Sequence, residues 1–165
     1  RRPYAVKSYF LTLLSFGGTY NFERVSTWNF PTNNFESYKF IIFPLNISNI
    51  HWAVIVADLE LRKIFYLDSL RGRNGLFWMQ CIRQYFIDMY IQQHGVETVP
   101  QWTMECIYNC AQQPNSYDCG VFTCMFAYSL MMGLSIPSVY PQYSSGRFLI
   151  AQSIMNGCVL PLLSN

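Results

Sequence analysis

Two apolar runs, Trp52–Asp58 and Lys63–Asp68, are separated only by Leu59-Glu60-Leu61-Arg62. They are rich in β-branched and aromatic residues, and so short a polar connection predicts an antiparallel hairpin. No other feature restricts the fold as strongly, because the hairpin makes neighbours of two distant positions. Residue 51, where the first strand opens, must lie beside residue 68, where the second closes. Lys39–Leu45 is a further short apolar run that reads as a buried strand, and Gln101–Tyr108 reads as another.

The remaining segments follow helical spacing. Tyr4–Phe16 places Val6, Phe10, Leu13 and Leu14 on one face and stops before Gly17-Gly18. Leu76–His94 carries a stripe of Phe77, Cys81, Phe86 (or Tyr85) and Met89, with Gly95 as its stop. Cys119–Met132 is a helix ended by Gly133, and Arg147–Cys158 is a last, amphipathic one. Asn29–Phe35 and Gly72–Gly75 are loops. Helix, strands, helix, strand and helices in that order, within 165 residues, predict one α+β domain spanning 1–165.

Composition removes several classes of function. Hydrophobic residues make up 52% of the chain and charged residues 12%, the balance of a well-buried globule. The net charge of +2, with basic residues scattered, gives no track for a phosphate backbone, so no nucleic-acid partner is expected. From Cys119 to Gly146 no residue is charged, but Ser135, Pro137, Ser138 and Tyr140-Pro141-Gln142 interrupt the run before it reaches the ~20 apolar residues of a membrane span. No membrane segment or signal peptide is expected. Of the six cysteines, Cys106, Cys110, Cys119 and Cys124 lack the two-residue knuckle and nearby histidine of a zinc site, so no metal or cofactor is expected. Apart from Cys119, the cysteines read as small core hydrophobes in a reducing compartment.

Cys119 lies where a loop rich in Pro, Asn and Ser gives way to an apolar helix. A thiol in the first helical turn faces the positive end of the macrodipole, which favours thiolate. Gly120 beside it allows a substrate backbone to approach. A buried structural cysteine is the competing reading. Of the two histidines, His94 ends a helix and reads as a surface residue, whereas His51 sits at the rim of the hairpin. Asp68, at the adjoining strand end, could meet His51 at Nδ1 and fix its tautomer; as a residue before Ser69 it could equally be a turn former. Gln113, on the loop before Cys119, could aim its amide at an oxyanion beside the Cys119 N–H, or simply be solvated. Trp52 reads as core, or as the roof of a narrow slot.

Together, His51-Trp52 opening one strand, Tyr66-Leu67-Asp68-Ser69 closing the next, and Gln113-x-Asn115-x-x-Asp118-Cys119-Gly120 resemble the ubiquitin-like-protein protease family, the sentrin/SUMO-specific cysteine proteases. Softer similarity continues through Val121-Phe122-Thr123-Cys124 and Arg147-Phe148. The resemblance implies a papain-like fold with a small central mixed sheet and a helix starting at the nucleophile. It implies a His51–Asp68–Cys119 triad, Gln113 in the oxyanion hole, and Trp52 in a tunnel that admits a Gly-Gly tail. The implied activity is cleavage after the C-terminal Gly-Gly of SUMO or a related modifier, by a monomer in the nucleus or cytoplasm. Ubiquitin or another ubiquitin-like protein as substrate, a catalytically dead modifier-binding domain, and an acyltransferase are the alternatives. One departure stands out: the Trp-Leu segment that supplies the family's second tunnel tryptophan would fall at or before Arg1-Arg2, where no tryptophan occurs, and Trp28 is distant from that place. Either the chain is a piece of a longer protein, as is expected, or the tunnel is built differently.

Overall fold

The computed structural model describes residues 1–28, 30, 34–73, 75–95, 99–137, 140 and 145–159. Five strands form one mixed sheet in the order β1 (Tyr4–Ala5), β2 (Phe40–Ile47), β3 (His51–Asp58), β4 (Lys63–Leu67) and β5 (Thr103–Cys106). The β2–β3 and β3–β4 pairs are antiparallel, and the outer pairs β1–β2 and β4–β5 are parallel. Helix α1 is Phe10–Leu14, α2 is Gly75–His94, α3 is Cys119–Met131 and α4 is Gly146–Asn156. This is the α+β architecture expected, with α2 as the crossover that a parallel β4–β5 pair requires.

Strict alternation in β3 explains why the sheet is buried on both faces. Ala53, Ile55 and Ala57 join the larger core cluster with Phe10, Leu14, Tyr85 and Phe86 of α1 and α2. Val54 and Val56 point the other way, onto Phe122, Met125 and Phe126 of α3. The result is three layers, helices on both faces of one sheet.

Four expectations need correction. The helix predicted over Tyr4–Phe16 is only Phe10–Leu14, because Tyr4 and Ala5 pair with Ile41 and Ile42 and the Val6 N–H bonds the Ile42 carbonyl at 2.9 Å. A sheet edge seeking a partner outweighs local helical spacing. That same strand ends before Pro44, so the proline sits where, among the described residues, no outer strand pairs with β2. In α2, Phe77 is exposed against Trp78, while Met79, Ile82 and Tyr85 face the core. In α4, only Gly146 and Leu149 are buried among the described residues, and Phe148, Ile154 and Met155 are exposed. Cys124 and Cys158 are exposed rather than core, and all six thiols are free. No helix among the described residues is long and apolar enough to cross a membrane.

Candidate active site

The hairpin places the first pair of residues. In the three-residue loop between Ile47 and His51, Ser48 and Asn49 both adopt left-handed φ (53° and 59°). The Asn49 N–H bonds Asn46 Oδ1 at 2.8 Å and the Ile50 N–H bonds the Ile47 carbonyl at 3.1 Å, which fixes His51 as the first residue of β3. In the ladder Val54 faces Leu67, so one further step sets Asp68 across from Ala53, two residues from His51 and on the same face. The two side chains meet: His51 Nε2 lies 2.8 Å from Asp68 Oδ1. The ring nitrogen is the correction here. Asp68 engages Nε2 rather than Nδ1, which leaves Nδ1 as the ring nitrogen that Asp68 does not hold.

Asp68 is itself held on every side. Its Oδ1 also accepts from the Leu70 N–H at 2.8 Å, and its Oδ2 accepts from Tyr66 Oη at 2.7 Å and from the Gly72 N–H at 3.0 Å. Four donors occupy the four lone-pair positions of a buried carboxylate, so it has no second orientation of comparable energy. Burial, and then the bond to Asp68, push the Tyr66 phenol far up its range and keep it a donor. Sequence reading did not single out Tyr66 or Gly72. Tyr66 had a signal, since it precedes Asp68 by two on the same strand face. Gly72 had none: its role is to let its backbone approach Asp68 where a Cβ would overlap the carboxylate.

The nucleophile candidate comes from the opposite layer. Cys119 is the first residue of α3 and is buried. The helical ladder there begins with the Phe122 N–H on the Asp118 carbonyl at 3.0 Å, so the N–H groups of Cys119, Gly120 and Val121 precede it. Helix α3 packs on β3 beside Trp52: a Cβ on Gly120 would lie 3.7 Å from Trp52 Cδ1, an ordinary contact. Packing inside the protein therefore does not require glycine at 120, which is consistent with space kept for a ligand. Trp52 lines an apolar cleft with Ile42, Pro44, Val54, Gly120 and Thr123. Trp28, by contrast, packs edge-on against Phe10 and Tyr9 in the layer of α1, and so is not a second wall of that cleft.

Gln113 is buried, not solvated. Its Oε1 accepts from Ser69 Oγ at 2.6 Å, its Nε2 donates to the Asn115 carbonyl at 2.6 Å, and its N–H bonds the Ser69 carbonyl at 3.0 Å. Ser69 thus ties the Gln113 loop to the residue after Asp68. The amide nitrogen carries two hydrogens and Asn115 needs one. His94 lies elsewhere, at the end of α2, where its Nε2 sits 3.3 Å from Glu36 Oε2. A thiol on a helical first turn, an oriented imidazole and an anchored amide are the kinds of group that acyl transfer uses.

Comparison with known proteins identifies the family. Residues 1–149 match the model of the Ulp1 protease family, C-terminal catalytic domain. Ubiquitin-like-specific protease 1 of Saccharomyces cerevisiae is 31% identical over 122 residues, covering 73% of this chain and 19% of that protein. Putative ubiquitin-like-specific protease 1B of Arabidopsis thaliana is 34% identical over 136 residues, covering 78% and 39% respectively. The chain thus spans well under half the length of these curated relatives. Among solved structures, the C-terminal Ulp1 protease domain in complex with Smt3, the yeast ortholog of SUMO, superposes with a TM-score of 0.78 at 27% identity, covering 94% of this chain and 68% of that one. Ulp1 with its catalytic cysteine oxidised to a sulfonic acid gives a TM-score of 0.81 at 26% identity, covering 94% and 70%. Fold and sequence converge: the chain belongs to the Ulp1 protease family, and its residues 1–149 match that family's C-terminal catalytic domain.

Proposed function

We propose that this chain is a cysteine peptidase that cleaves after the C-terminal Gly-Gly of SUMO or a related ubiquitin-like modifier, acting on conjugates, precursors or both. The observation that carries the reading is the Nε2 contact of His51 with a fully bonded Asp68, which turns Nδ1 toward proton transfer. His51 Nδ1 takes the proton of Cys119 Sγ, and the thiolate attacks the carbonyl carbon of the terminal glycine. The Cys119 N–H and the Gln113 amide hold the resulting oxyanion; one such donor is worth about 10²–10³ in rate. The imidazolium then gives its proton to the departing lysine or peptide amine. Water, deprotonated by His51, attacks the thioester carbonyl, and the C–S bond breaks to expel the Cys119 thiolate, which regains a proton from His51. The modifier departs with a free C-terminal carboxylate. Asp68 acts throughout by holding the ring.

Two points support the choice of substrate. A related domain was solved with Smt3 bound, and the Trp52 cleft beside Gly120 suits a tail without side chains, since two glycines thread a slot that any Cβ would block. Action as a monomer within the nucleus or cytoplasm belongs to the same proposal; six free thiols agree with a reducing setting. The test is competition among SUMO, ubiquitin and other modifier probes, with turnover of a fluorogenic Gly-Gly substrate measured in parallel. Preference for another modifier would replace SUMO as substrate. Binding without turnover would replace the peptidase with a recognition module.

A further inference from the structure

Asp118 stands at the N-cap of α3, immediately before Cys119, yet its side chain makes no capping bond to that helix. An aspartate there ordinarily accepts from the second or third helical N–H, here Gly120 or Val121. Both of its oxygens are instead held on the other side. Oδ2 accepts from Asn115 Nδ2 at 2.7 Å, and Oδ1 accepts from Arg147 of α4, Nε at 2.8 Å and Nη2 at 2.5 Å. Arg147 Nη2 also bonds the Tyr117 carbonyl at 2.9 Å, while Asn115 Oδ1 takes the N–H groups of Tyr117 and Asp118.

We propose that Arg147 is a positioning residue that, with Asn115, holds the Asp118 carboxylate off the start of α3 and neutralises it, leaving the first N–H groups to the Cys119 thiolate and the oxyanion. This rests on Cys119 as the nucleophile. The Asn115 bond first, and then Arg147, hold the Asp118 carboxyl below the usual carboxylate range against an opposing push from burial, so it is an anion whenever the enzyme works. Released, it would turn to its own helix, occupy a donor and set an uncompensated charge beside the thiolate. Few other charges bear on Cys119. Of the elements packed on α3, β2 has none, β3 has His51 (itself on Asp68) and the remote Asp58, and α4 has Arg147 alone.

The test is the pH dependence of Cys119 alkylation by iodoacetamide, mapped by peptide mass spectrometry, with thermal unfolding as a control for folding. Arg147→Gln is expected to raise the alkylation midpoint by about one pH unit, lowering the rate near neutrality about tenfold. Arg147→Gln with Asp118→Asn removes the stray anion and is expected to return the midpoint toward wild type, which a mere structural brace would not do. Asp118→Asn alone is expected to hold or lower the midpoint. An unchanged midpoint in Arg147→Gln, no return in the double variant, or a rise in Asp118→Asn would each overturn the inference. Because alkylation needs no peptidase activity, a wild type that ignores Gly-Gly probes yet shows these shifts would remove the proposed function and leave this inference standing.

Discussion

Gly72→Ala is the substitution whose effect the geometry sets most tightly. A Cβ at residue 72 would overlap Asp68 Oδ2, 3.5 Å from its Cγ and 3.6 Å from Tyr66 Oη. Relief requires the carboxylate to retreat by roughly 1 Å, the order of displacement that separates an overlap from an ordinary contact. Asp68 has nowhere to go without loss, because each of its four acceptor bonds spans 2.7–3.0 Å. Stretching the His51 contact from 2.8 Å by that amount takes it beyond hydrogen-bond range. The imidazole then loses its orientation, and a misplacement of about 1 Å costs about 100-fold in kcat. Overpacking should also cost about 1–3 kcal/mol, a fall of about 3–10 °C in Tm for a domain of this size. The assay is steady-state turnover of a Gly-Gly-amide fluorogenic substrate beside a thermal scan, with KM expected to change little. A Gly72→Ala enzyme with wild-type kcat would refute the reasoning, since Asp68 would then not need its observed position.

Further expectations come from the same contacts. Tyr66→Phe removes a buried hydroxyl bonded to a carboxylate and should lower unfolding stability by about 1.5–3 kcal/mol, read by urea titration, with kcat reduced about 10-fold or less because three donors remain. Gln113→Ala should lower kcat by about 10²–10³ with KM little changed, and Ser69→Ala, which unpins the Gln113 carbonyl, should fall in the same direction by less. The folded-state carboxyl of Asp118 lies below its unfolded value, so its network stabilises the fold in full above the ordinary aspartate pKa of about 3.9. That stabilisation is lost as pH falls through the lower, folded value. Urea midpoints of wild type and Asp118→Asn should therefore differ at pH 6 and draw together in strong acid; a constant gap would contradict the linkage.

Residues 51–68 show why much of this fold was readable in advance. The hairpin declares itself by two runs rich in β-branched and aromatic residues on either side of a four-residue polar connection. The His51–Asp68 contact follows because strand ends in a hairpin are neighbours by construction. Other features depend on contacts that periodicity does not encode. Tyr4 and Ala5 are a strand only because the edge of β2 lies open to them. Phe77 falls off the stripe because α2 presents Met79, Ile82 and Tyr85 to the sheet instead. Which imidazole nitrogen meets Asp68 is a matter of side-chain rotation, on which strand order is silent. Gly72 matters through a single close approach to Asp68, so it does not stand out in the linear sequence.

The most direct measurement is intact-protein and peptide mass spectrometry after reaction with SUMO carrying a C-terminal propargylamide after Gly-Gly. Wild type is expected to gain one modifier, mapped to Cys119, and Cys119→Ala to gain none while keeping its fold by circular dichroism. An adduct that persists in Cys119→Ala, or one mapped to another of the six cysteines, would contradict the assignment of Cys119 as the nucleophile.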